Sequence, residues 1–69
     1  MELMDLFVVS YDKDRGDWIL SVRTTGPSFV RHYPTEMDAR LDEIRLKHRL
    51  SYAPRGDVLA VLTDWELEG

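Results

Sequence analysis

With 69 residues the chain has room for one domain, spanning 1–69, and a domain of that size buries only about 60% of the surface its unfolded chain exposes. The absence of cysteine excludes a disulfide framework and a thiolate zinc site, and two distant histidines do not build a structural metal centre, so neither metal nor cofactor is expected. A formal charge of −4 disfavours grip on nucleic acid by bulk electrostatics, whereas 43% apolar residues, with two tryptophans and five other aromatics, indicate a folded domain.

No run of about 18 apolar residues exists, so no membrane partner is expected. The opening MELMDLFVVS carries Glu2 and Asp5 where a signal peptide needs positive charge, which makes a cytoplasmic location the expectation.

Leu3 to Tyr11 is rich in β-branched and aromatic residues and ends at the polar cluster DKDRGD, the pattern of a strand running into a turn. Phe7, Val9 and Tyr11 point one way, and Leu6 and Val8 the other. DKDRGD also resembles the start of a calcium loop, but its glycine comes one place early and Arg23 stands where the bidentate glutamate belongs. A hairpin loop with Gly16 at positive φ explains the cluster better.

Asp17 to Thr24 alternates cleanly, with Trp18, Leu20 and Val22 inward and Ser21 and Arg23 outward. Gly26-Pro27 breaks the chain, and Ser28 to Tyr33 forms a third strand closed by Pro34. Arg-Gly-Asp occurs at 15–17 and again at 55–57, each time leading into an apolar strand; glycine for the bend and aspartate to start the strand account for both copies.

Thr35 to Leu50 reads as a helix, with Thr35 as N-cap, Asp38 completing a near capping box, acidic residues in the first turn, and Arg45, Lys47 and Arg49 toward the last. At roughly 100° per residue, Met37, Leu41, Ile44 and His48 form one stripe, and Ala39, Leu46 and Leu50 form another nearly opposite. We assign the first stripe to the core, which places His48 where mild acid would act on helix docking, and leave the second for a partner. Ala53-Pro54 and Gly56 end the helix.

Asp57 to Leu67 reads as a fourth strand, apolar on both faces through Val58, Leu59, Ala60, Val61 and Leu62. The expected fold is α+β in the order β-β-β-α-β: an antiparallel three-stranded meander, one helix packed on it, and a C-terminal strand beside the first or the third. That last strand would lie at an edge, and pairing with a second copy would cover it.

Catalysis finds no foothold and no enzyme is expected: the serines lie in no nucleophile pattern, no glycine-rich loop cradles phosphate, and neither histidine has an orienting carboxylate at a telling spacing. Trp18 and Trp65 read as core residues.

A strand ending near Tyr33, the helix opening TEMDARLDEI, Tyr52 and Pro54, and then a glycine-led strand resemble the layout of small phage-encoded inhibitors of bacterial RNA polymerase, over about half the chain. The layout is also similar to uncharacterised small bacterial β-β-β-α-type domains. The resemblance implies a compact acidic adaptor that meets a basic protein surface through Glu36, Asp38, Asp42 and Glu43.

The reading of the whole chain is a small acidic protein-binding or regulatory domain that self-associates as a homodimer or binds another protein. Its expected interface is Ala39, Leu46, Leu50, Val58, Ala60 and Leu62. The alternative is a regulator contacting nucleic acid through Arg23, Arg31, Arg45, Lys47, Arg49 and Arg55, with bases stacking on Phe29 and Tyr33 of an open sheet face.

Overall fold

Apolar-polar alternation becomes three strands, β1 (Phe7–Asp12), β2 (Asp17–Val22) and β3 (Phe29–Tyr33), followed by two helices, α1 (Glu36–Tyr52) and α2 (Val58–Glu68). They are seen in a computed structural model that describes residues 6–53 and 57–68. The strands form one antiparallel sheet in the order β1-β2-β3, with Val9 opposite Leu20 and Leu20 opposite Arg31. The α+β class and the meander stand; the four-stranded version does not.

Each hairpin is fixed by its turn. Asp12 Oδ1 accepts the amide N–H groups of Asp14 and Arg15 at 3.0 and 3.3 Å, and Gly16 takes φ 74° while its own N–H returns to the Asp12 carbonyl at 2.8 Å. Across the second turn, Thr24 Oγ1 accepts from the Gly26 N–H at 3.0 Å and donates to the Pro27 carbonyl at 2.6 Å. Thr35 caps α1 as expected, its side chain accepting the Asp38 N–H at 3.2 Å.

Residues 58–68, expected to be a strand, form a helix. Val58, Val61, Leu62 and Trp65 follow the i, i+3, i+4, i+7 helical spacing, and these four turn inward while Leu59, Ala60 and Thr63 face water. No fourth strand therefore exists among the described residues, and the doubly apolar edge strand beside the first or the third falls with it.

Both helices lie on one face of the sheet. Phe7, Leu20, Val22, Phe29 and Tyr33 from the sheet meet Ala39, Leu46 and Leu50 of α1 and Leu62 and Trp65 of α2. The other sheet face, with Val8, Ser10, Val30 and His32, is open to solvent. At the outer edge of β3 the Val30 N–H donates to Glu66 Oε2 of α2 at 2.9 Å.

The two stripes of α1 have exchanged roles. Ala39, Leu46 and Leu50 are 0%, 0% and 3% exposed, whereas Met37, Leu41 and Ile44 are 72%, 51% and 64% exposed. Two features favour this arrangement: the single methyl of Ala39 lets the helix backbone settle close to the sheet, and Asp42 beside that stripe finds donors on β3 and α2.

Candidate interaction surface on α1

Met37, Leu41 and Ile44 stand one above another on the outer side of α1, and His48 and Tyr52 continue the line, their rings meeting edge to face at 4.9 Å between centroids. The 4-3-4 spacing from Met37 to His48 is that of a helix-pairing seam. Single exposed apolar residues are ordinary on a protein surface, whereas a run of this length on one helix face is a contiguous patch of the kind that docking sites use.

One flank of the stripe is held by an inward carboxylate. Asp42, three residues after Ala39 and four before Leu46, points toward the sheet, where its Oδ2 accepts from the Tyr33 hydroxyl, from Trp65 Nε1 at 2.8 Å and from an Arg31 guanidinium nitrogen at 3.2 Å. One oxygen thus ties β3, α1 and α2 together. The Arg31 guanidinium lies 5.5 Å from the ring centroids of both Tyr33 and Trp65, and its Nε is buried without a hydrogen-bond partner among the described residues. Burial pushes the Tyr33 hydroxyl well above the ordinary tyrosine range, and its hydrogen bond to the Asp42 carboxylate pushes it further. Between this cluster and the stripe lies a shallow cavity of about 270 Å³ lined by Arg31, Tyr33, Asp38, Leu41, Asp42 and Arg45.

The opposite flank is charged and internally paired. Glu43 meets Lys47 at 3.1 Å and Arg40 at 3.9 Å, Arg40 also reaches Glu36 at 3.5 Å, and the Lys47 ammonium rests 5.1 Å from the Phe7 ring centroid. Asp38 and Arg45, on the cavity side, make no ion pair among the described residues.

The residues expected at a protein interface are dispersed by these facts. Ala39, Leu46, Leu50 and Leu62 are inside the molecule, Val58 is half-buried, and Ala60 alone is exposed. Leu46 and Leu50 are therefore core residues of the monomer. The acidic residues that the resemblance singles out are also engaged: Asp42 inward, Glu36 and Glu43 with neighbouring cations, Asp38 alone unpaired among the described residues.

The basic residues of the nucleic-acid alternative do not assemble into a free patch. Arg31 is held by Asp42, Lys47 by Glu43 and Arg49 by Glu68 at 3.2 Å; Arg23 and Arg45 are exposed, and Arg55 lies outside the described residues. Phe29 and Tyr33 face the helices, so they form no stacking platform on the open sheet face.

Asp12, Asp17 and His32 bring ligand atoms within 4.8 Å of one another at the end of the first hairpin, the one grouping among the described residues able to hold a cation. Its oxygens already serve the protein: Asp17 Oδ1 and Oδ2 meet His32 Nδ1 and Arg15 Nε, each at 3.2 Å, and Asp12 Oδ1 takes the turn amides. No helix among the described residues is long and apolar enough to cross a membrane.

No family model, no characterised protein and no solved structure matches this chain.

Proposed function

We propose that this is a small acidic protein-binding domain that works by presenting the outer stripe of α1 to another protein. The exposure of Met37, Leu41 and Ile44 at helix-pairing spacing carries the reading. The monomer supplies its own core through Ala39, Leu46 and Leu50, so most of the outer stripe stays exposed and is available for helix-in-groove or helix-to-helix docking. The bound protein would cover the stripe, and its charges would be selected by Asp38 and Arg45 at the flank.

A photo-reactive amino acid placed at position 44, and in a control at His32 on the open sheet face, tests this in living cells. Adducts are expected from position 44. Once the adduct is identified and the pair is reconstituted from purified components, Ile44→Glu should weaken binding at least about tenfold. Equal adducts at both positions, or unchanged binding by Ile44→Glu, refute the reading.

A further inference from the structure

Resting on that reading, we infer that the occupant of the α1 stripe is a second copy of this chain, packed with its α1 antiparallel across a two-fold axis between Leu41 and Ile44. In this register Met37 faces the partner's His48, so the paired seam is about 17 Å long and covers roughly 400 Å² on each copy, the size of a weak, reversible contact.

Orientation follows from the flanks. With Met37, Leu41, Ile44 and His48 as seam positions, Asp38 and Arg45 occupy one flank, and Arg40 and Lys47 the other. Parallel pairing sets Arg40 beside the partner's Arg45, cation against cation. Antiparallel pairing places Leu41 on the partner's Ile44 and Asp38 beside the partner's Arg45, and the two-fold axis makes that ion pair twice. These are the two charges left without an ionic partner on this flank. Antiparallel pairing also brings Arg40 toward the partner's Lys47, but Glu43 already compensates both within its own chain, at 3.9 and 3.1 Å.

The test is sedimentation velocity across a concentration series with charge-exchanged chains. Wild type should show a reversible dimer. Asp38→Arg and Arg45→Asp, each alone, set like charges together and should weaken self-association at least about tenfold. Mixed with each other, the two variants should form a heterodimer, because each then meets an opposite charge at both contacts; the double variant D38R/R45D should regain the homodimer.

A second measurement does not depend on charge. The chain has no cysteine, so a Leu41→Cys chain mixed with an Ile44→Cys chain should oxidise to 41–44 disulfides between copies in the antiparallel pair. Predominant 41–41 and 44–44 products overturn the orientation. A wild-type chain monomeric up to about 1 mM overturns the self-pairing itself. Position-44 adducts to a different protein would then leave the α1 reading standing.

Discussion

Asp42→Ala is the most demanding perturbation of this fold, because one carboxylate oxygen serves three donors from two other elements. Removing it orphans the Tyr33 hydroxyl, Trp65 Nε1 and the Arg31 guanidinium together. A buried donor left without a partner costs about 1–3 kcal/mol, and more when charged. The side chains of Asp42 and Arg31 are 19% and 18% exposed, so water reaches part of the gap and Glu68 stays within 3.9 Å of Arg31. We expect a loss of roughly 3–4 kcal/mol. At about 0.05–0.15 kcal/mol per residue, the whole domain has roughly 3–10 kcal/mol of stability. The variant should therefore melt about 15–25 °C lower, if it folds at room temperature. Asp42→Asn keeps an acceptor and loses the charge, for about 1–2 kcal/mol. Adding Arg31→Met to Asp42→Ala removes the stranded cation and should recover part of the loss. Urea titrations followed by tryptophan fluorescence measure all three. A loss below about 0.5 kcal/mol for Asp42→Ala, the size of an ordinary surface change, would refute the account of this cluster.

Further outcomes are open to measurement. Because the folded state holds the Tyr33 hydroxyl protonated above the ordinary value near 10, the unfolded chain releases that proton first as pH rises, so stability should decline above about pH 10 by up to 1.4 kcal/mol per unit; urea midpoints that decline equally in Tyr33→Phe would count against this. Leu46→Ala should cost about 2–5 kcal/mol and Ile44→Ala less than about 1, the order opposite to the one that the first reading of the stripes implies. Gly16→Ala meets no neighbour within 4 Å yet must adopt φ 74°, so a loss of about 1–2 kcal/mol is expected, and an unchanged melting temperature would argue against the left-handed turn.

Local chemistry made much of the fold legible. Alternation over Phe7 to Ser10 and in β2, the Asp12–Gly16 turn and the Thr35 cap are each dictated by residues a few positions apart and appear as read, whereas β1 begins at Phe7 rather than Leu3, Tyr11 is exposed, and Leu3 to Asp5 lie outside the described residues. Two features depend on longer distances. The apolar run of residues 58–62 satisfies strand and helix alike, and only the continuation to Trp65 at i+7 from Val58 distinguishes them. The faces of α1 are nearly equal in apolar content, so periodicity locates the stripes without ranking them. What ranks them is the small side chain of Ala39, which lets α1 settle close to the sheet, together with Asp42 beside it, whose donors Tyr33, Arg31 and Trp65 come from 9, 11 and 23 residues away. A polar residue at the margin of an apolar stripe was the signal available, and reading it required knowing which aromatic residues would lie opposite.

The contact between Glu66 and the Val30 amide bears on how this sheet meets other sheets. A three-stranded meander ordinarily offers two flanking rows of backbone donors and acceptors, and so can be extended from both sides without end. Here α2 packs against β3 and the Glu66 carboxylate occupies one outward amide of that strand. A strand arriving at β3 must first displace a charge, which biases any extension of the sheet toward β1.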